Sequence, residues 1–140
     1  MIRKALETDI ADIHALCEEL EECVFPPETF SWICRGILAN NDHVVLVYED
    51  EGTACGFLHM RMEYQMHHCA RIAEILELDV RAERRSEGIG KELFLAACEQ
   101  AKREGCVQIE LVSNRRRTDA HRFYETKGMV RTHYGFTMPL

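Results

Sequence analysis

Two short stretches carry residues whose types and spacing could do chemistry. The first is RRSEGIG, residues 84–90, where Arg84 and Arg85 meet Gly88 and Gly90. It follows an apolar run and precedes a helix-like one. A helix start leaves its first amides without intrahelical acceptors, and the helix dipole adds partial positive charge there. Glycines let a ligand approach the backbone closely, and arginines add charge-assisted contacts. Such a turn suits a phosphate; the alternative is a plain strand-to-helix turn with solvated arginines. The second stretch is IAEILELDV, residues 72–80, which sets Glu74, Glu77 and Asp79 inside an apolar strand pattern. Carboxylates are rarely buried without a partner, and a positioned carboxylate can act as a general base. The period-two rule puts Glu74 on the face of Leu78 and Glu77 on the other side. His67 and His68 stand just upstream. Adjacent histidines on a strand point opposite ways, whereas in a loop they could share a metal.

Nucleotide-binding patterns fail on spacing. GxxxxGK[ST] is absent, and a GxGxxG starting at Gly88 would need a glycine where the chain has Leu93. Neither an ATP-cradling loop nor a dinucleotide fold is expected.

The elements that must position these residues can be read from periodicity. Residues 1–5 suit a short strand. Apolar residues at 6, 10, 13, 17, 20 and 24 make a helical stripe, with Thr8 or Asp9 placed to cap it. Pro26 and Pro27 end that run, and a proline suits the first position of a second helix, whose apolar face is Phe30, Ile33, Cys34 and Ile37. HVVLVYED (43–50) and ACGFLHMRMEY (54–64) read as a hairpin turning at Glu51-Gly52. A loop holding the histidine pair leads into the acidic strand. A helix from about Gly88 to Glu104 follows, with Gly105 as its C-terminal cap. CVQIELV (106–112) is a strand, Thr118 or Asp119 caps a short helix ending at Gly128, and MVRTHYGFTMPL closes the chain as one or two strands. The order is β-α-α-β-β-β-α-β-α-β, a mixed α/β layer domain.

The chain has 140 residues, 46% hydrophobic and 29% charged, the size and mix of one globular domain. Its formal net charge of −7 argues against general nucleic-acid binding, while arginines bunched at 81–85 and 115–117 suit a small anionic ligand. The seven cysteines form no CxxC and fall in apolar patterns, so reduced thiols in a cytoplasmic protein are expected. No stretch reads as a signal peptide or a membrane span.

The whole chain resembles the GNAT superfamily of N-acetyltransferases. LDVRAERRSEGIGKEL resembles its signature L-x-V-x-P-x-x-R-G-x-G-I-G: Leu78, Val80, Arg85, Gly88, Ile89 and Gly90 match, while Ala82 replaces the proline and Ser86 the first glycine. DAHRFYETKGM (119–129) resembles A-x-x-F-Y-x-x-x-G-F through Ala120, Phe123, Tyr124 and Gly128, with Met129 for the last position. The opening IRKALETDIADIHAL looks like the family's first strand and helix. The resemblance implies one domain over 1–140, with a mostly antiparallel mixed sheet, splayed central strands and flanking helices. It also implies acetyl-CoA as cosubstrate. The backbone of Arg85, Ser86, Glu87, Gly88, Ile89 and Gly90 would hold its pyrophosphate, and amides of Leu78 and Val80 its pantetheine arm. Many members place a cofactor-contacting asparagine three residues before the alanine matched to Ala120; here that position is Arg117, and the nearest asparagine is Asn114. His121 and Phe123 share the helix of Tyr124, His121 as a cofactor contact and Phe123 as packing beside it. Tyr124 matches the tyrosine that protonates the departing thiolate. A glutamate at the offset of Glu74 is the base in the histone-acetylating branch, with Glu77 as the alternative.

Within the family, the histidine pair 67–68, Glu74–Leu78, DAHRFY and HYGFTMPL look like the aminoalkylphosphonate N-acetyltransferases. That branch implies a small primary amine as acceptor. His67, His68 and Glu77 would then lie near the substrate, and Arg115, Arg116 and Arg117 would suit a phosphonate. A divalent metal is implicated there, but no ligand set can be read here. A homodimer is common in the family, and no nucleic-acid or membrane partner is implied. Direct transfer in a ternary complex is the default, since no nucleophile stands out. The alternatives are acetylation of a protein lysine or N-terminus, a non-catalytic acetyl-CoA-binding regulatory module, and a phosphate-binding domain unrelated to coenzyme A.

Overall fold

A computed structural model describes residues 1–140. The protein is an α/β fold built on a five-stranded mixed sheet in the order β1-β2-β3-β4-β5. The strands are β1 (Ile2–Lys4), β2 (His43–Asp50), β3 (Thr53–Gln65), β4 (Ala70–Val80) and β5 (Gln108–Leu111); the helices are α1 (Ile10–Glu21), α2 (Pro27–Leu38), α3 (Ile89–Arg103) and α4 (Thr118–Thr126). β1 to β4 are successively antiparallel, and α3 makes the crossover between β4 and β5. Residues Met1–Glu110 form one compact unit and Leu111–Leu140 a second. No helix is long and apolar enough to cross a membrane.

Local sequence explains the elements. The helical stripe becomes α1, which buries Ile13 and Leu16 at 3% and 1% exposure. Asp9 takes the N-cap position expected of it, directly before Ile10, but its side chain makes no cap bond to α1. The Asp9 carboxylate instead accepts the Leu6 amide at 2.7 Å and a bidentate pair from Arg3 at 2.7 and 2.8 Å. Pro27 opens α2 as its first residue. Glu51 and Gly52 both adopt positive φ, 49° and 80°, the two-residue turn whose twist suits a hairpin.

The two sheet faces pack on different helices. Ile13 and Leu16 of α1 meet Val45 and Val47 of β2 and Phe57 of β3, with Phe30 and Ile37 of α2 alongside. Each fully buried aliphatic or aromatic side chain there contributes about 2 kcal/mol. On the opposite face Gly56 lets α3 approach: a Cβ there would sit 3.1 Å from Ile89 Cγ2 and 3.3 Å from Leu93 Cδ1. One expectation fails at the C-terminus. Residues 129–140 form no strand, and Val130, Tyr134, Phe136 and Met138 are exposed. Alternating apolar residues favour an extended chain, but a strand also needs a neighbour to accept its hydrogen bonds.

Candidate active site

The acidic strand is β4, and a β-bulge decides which way its carboxylates point. Leu58 pairs with Leu78 and His59 with Glu77, but the next residue, Met60, pairs with Ile75 and Arg61 with Glu74. Leu76 is therefore the extra residue, and the face pattern of β4 shifts there by one. Directly paired residues share a face, so Glu74 lies with Glu77, Arg61 and His59, not with Leu78. This corrects the period-two assignment of Glu74 to the Leu78 face. The shared face is also that of Val45, Val47 and Phe57, the side covered by α1 and α2.

Both glutamates are committed to partners. Arg61 Nη2 donates to Glu74 Oε2 at 2.7 Å. Glu77 Oε2 accepts from His59 Nδ1 at 2.5 Å, and His59 Nε2 lies 2.8 Å from His43 Nδ1. An ionised carboxylate only accepts, so His59 Nδ1 carries the hydrogen. With its hydrogen on Nδ1, His59 can accept at Nε2 from His43 Nδ1–H. His59 is buried at 5% exposure, whereas the Glu77 side chain is 42% exposed. Burial, followed by His59 and Arg61, lowers the pKa of His43, against the opposing pull of Asp42 and Glu77. From the helices, the Cys17 and Cys34 thiols feel Glu77. Burial first and that charge second push Cys17 up to about 12, and Cys34 up as well. Neither thiol is a thiolate near neutrality, so neither is an activated nucleophile.

His43, His59 and Arg61 were absent from the sequence-derived site. A signal existed: His59, Arg61 and Glu63 alternate with Leu58, Met60 and Met62, so β3 has one polar edge to its face. The expected pair His67 and His68 lies in the β3–β4 turn, with ring centroids 4.3 Å apart and His68 Nδ1 2.8 Å from Gln65 Oε1. No group of three or more His, Cys, Asp or Glu is placed to hold a metal ion.

The C-terminal end of β4 leads into the glycine turn. Leu78 and Val80 pair with Leu58 and Gly56 of β3. On the other edge, the Val107 amide bonds the Arg71 carbonyl at 3.0 Å, and β5 ends four residues later at Leu111. At roughly 3.3 Å per residue, β5 runs out beside the middle of β4. β5 thus does not extend along Leu78–Val80. Ser86 and Gly88 take positive φ, 69° and 88°, and Gly88 caps α3, whose Glu92 amide is bonded to the Gly88 carbonyl at 3.1 Å. The amides before it, including Ile89 and Gly90, are those a helix start leaves unsatisfied. A side chain at Gly88 would meet nothing within 4 Å, so the approach to the turn is open. Arg84 is closed off by Asp50 at 2.9 Å and Glu87 at 2.7 Å. Arg85 donates to the Val80 carbonyl at 3.0 Å, with Asp79 and Glu19 at 3.4 and 3.6 Å, and its side chain stays 52% exposed.

In the C-terminal unit, α4 carries Tyr124, whose phenol pKa is raised by burial against the opposing charge of Arg117. Its ring meets Phe123 edge-on, 5.3 Å between centroids. Asn114 shapes the loop before α4: its side chain accepts the Arg116 amide at 3.0 Å, and its carbonyl lies 3.0 Å from His121 Nε2. The His121 ring therefore donates to backbone through that nitrogen.

With this geometry in place, comparisons with known proteins are informative. A family model described as acetyltransferase (GNAT) family matches residues 8–129. An aminoalkylphosphonate N-acetyltransferase from Salmonella typhimurium is 33% identical over 99% of this chain and 90% of its own. Among solved structures, a protein described as a transcriptional regulator from Bacillus halodurans superposes with a TM-score of 0.93 at 25% identity, covering 100% of this chain and 99% of the other. Glucosamine-6-phosphate N-acetyltransferase from Arabidopsis thaliana superposes with a TM-score of 0.84 at 22% identity, over 99% and 97% of the two chains.

Proposed function

Because the chain belongs to the acetyltransferase (GNAT) family and is an N-acetyltransferase, we propose that it moves an acetyl group from acetyl-CoA to a small primary amine bearing an anionic group, such as an aminoalkylphosphonate. The family uses acetyl-CoA as cosubstrate. The observation that carries the reading is the open edge of β4 running into a glycine-capped helix start. An extended pantetheine arm fits the first, through amides of Leu78 and Val80, and a pyrophosphate fits the second, through amides of Arg85 to Gly90. The aminoalkylphosphonate relative supports the acceptor class. Arg115 to Arg117 are cations suited to a phosphonate.

The chemistry follows from the residues. An alkylammonium has a pKa of about 10, so the amine must shed a proton before it attacks the thioester carbonyl. Of the two carboxylates on that face, Glu77 is the one that drives deprotonation: it is the more exposed, 42% against 20%, and its partner is an imidazole that can pass a proton, whereas Glu74 is held by the Arg61 guanidinium. Tyr124 keeps its proton across neutral pH and donates it to the departing thiolate. The thiols of Cys17, Cys34, Cys98 and Cys106 have pKa values raised chiefly by desolvation, which favours direct transfer in a ternary complex over an acetyl-cysteine intermediate at any of them. Acetylation of a protein lysine or N-terminus is the competing outcome. The test is release of coenzyme A across a panel of aminoalkylphosphonates, polyamines, amino acids and a lysine peptide, with and without chelator. Turnover on aminoalkylphosphonates at least tenfold above the rest is expected. Preference for the peptide would overturn the acceptor, and no thermal stabilisation by saturating acetyl-CoA would overturn the cosubstrate.

A further inference from the structure

The row Glu77–His59–His43 crosses three strands as one hydrogen-bonded chain. Its middle member is buried and both bonds are short, 2.5 and 2.8 Å. Its two ends are not closed: Glu77 is 42% exposed, and the Nε2 atom of half-buried His43 bonds no group of the protein. A histidine buried only to fill space would sit between aliphatic groups or bond a backbone carbonyl. His59 instead links a carboxylate to a second imidazole. The bulge at Leu76 makes this possible, since it brings His59 opposite Glu77 while placing Arg61 opposite both His43 and Glu74. His43 therefore shares its face with both carboxylates.

Resting on the acetyltransferase reading, we propose that Glu77, His59 and His43 form an extended relay in which His43 Nε2 takes the proton shed by the acceptor amine. The hydrogens point one way along the chain: His43 Nδ1–H to His59 Nε2, and His59 Nδ1–H to Glu77. Only the outer nitrogen of His43 is left as an acceptor. In the step, an N–H bond of the ammonium breaks and its electron pair stays on nitrogen as the nucleophile, while a new Nε2–H bond forms on His43. The imidazolium charge is shared through His59 and balanced by Glu77. Ammonium plus thioester gives amide, thiol and one net proton, and that proton leaves from His43 Nε2 to solvent. Asp42, Arg61, His59 and Glu77 set the charge around His43 on the sheet, and the thiols of Cys17 on α1 and Cys34 on α2 lie in the field of Glu77. Burial keeps His43 unprotonated near neutrality, as a base must be.

The experiment measures acetyl transfer to aminoethylphosphonate, or to the best amine of the panel, from about pH 5 to 9, in the parent, His43→Gln, His59→Gln and Glu77→Gln. NMR titration of the His43 ring runs in parallel. His43→Gln should lower kcat about 100-fold, remove the acidic limb of the pH–rate profile and leave the KM for acetyl-CoA unchanged. Glu77→Gln should move that limb to lower pH, since the carboxylate no longer supports the charge on His43. His59→Gln should behave like His43→Gln if it folds. Parent kcat and an unchanged acidic limb in His43→Gln would overturn the relay. If the parent acetylates no amine, the acceptor reading fails on its own, and the titration still decides the relay. A lower His43 midpoint in Glu77→Gln supports it, and an unmoved midpoint overturns it.

Discussion

Two polar clusters are built into the first unit, and they are finished differently. Around Asp9, every strong group is closed. Arg3 gives two nitrogens to the Asp9 carboxylate at 2.7 and 2.8 Å and its Nε to Glu49 at 2.7 Å, and Asp9 also takes the Leu6 amide. Around His59, the chain is satisfied in the middle and open at both ends. Burial is the same, 5% exposure for Asp9 and for His59. Burial of a polar group is thus no guide to its use; what distinguishes the clusters is whether donors and acceptors remain for something outside the protein. The first joins β1, α1 and the end of β2 and behaves as a clamp. The second presents a basic nitrogen and a carboxylate on a face that helices cover.

The sharpest way to break this contrast is to remove Asp9. Asp9→Ala leaves the Arg3 guanidinium partly buried beside a vacancy, and breaking such a pair costs about 3 kcal/mol. Denaturant unfolding should show that loss, while kcat per folded molecule stays at the parent value. The acid side adds a second readout. Arg3 holds the Asp9 carboxyl below its ordinary range. The pair thus contributes stability that is present above the ordinary carboxylate pKa and lost as pH falls through the lowered one. Asp9→Ala should lose this part of the acid sensitivity. Glu77→Gln should do the reverse, with a large kinetic effect and a stability loss of about 1 kcal/mol, because the amide oxygen can still accept from His59. A large fall in kcat for Asp9→Ala at full folding would erase the distinction between the clusters.

The sequence exposed the helices and the turns better than the clamp or the relay. The stripe of α1, the proline start of α2 and the Glu51-Gly52 turn are local signals, each read within a few residues. The glycine turn is also local, because a strand, glycines and a helix start are adjacent in the chain. The relay is not. It depends on two irregularities, one between Tyr48 and Glu49 in β2 and one between His59 and Met60 opposite Leu76. A single extra residue reverses every side chain beyond it, so the pattern in IAEILELDV put Glu74 on the wrong face. No residue type in that strand marks the bulge. The closing segment failed for another reason: its alternation is genuine, but pairing is not a local property.

Tyr124, in the second unit, tests the acid side of the same reaction, and there the expected effect is smaller. Burial holds the phenol proton on well above neutrality, so the group acts as a donor and not as a charge. Tyr124→Phe keeps the edge-on ring contact with Phe123 at 5.3 Å and removes only the hydroxyl. Turnover should fall about tenfold, roughly 1.4 kcal/mol, and acetyl-CoA affinity should hold. Because phenol deprotonation closes this route, the parent should lose activity on the far alkaline side and Tyr124→Phe should not. Unchanged turnover would remove Tyr124 from the reaction.

The smallest expected effect tests whether backbone donors belong to the open class too. Gly88 sits at φ 88° with nothing within 4 Å of where a Cβ would stand. Gly88→Ala therefore introduces no clash, only the cost of a left-handed alanine, about 1 kcal/mol. The turn can keep its shape at that cost, lowering Tm by roughly 3 °C, or relax it and tilt the amides between Ser86 and Gly90. A fall in acetyl-CoA affinity of about fivefold, measured by calorimetry, is expected from the tilt. Arg84→Ala in the same turn is the control, because that guanidinium is already taken by Asp50 and Glu87 and should weaken acetyl-CoA less than Gly88→Ala does. If Arg84→Ala weakens it more, the side chain and not the amides holds the anion, and the turn is gripped by a charge that leaves its two carboxylates when the ligand arrives.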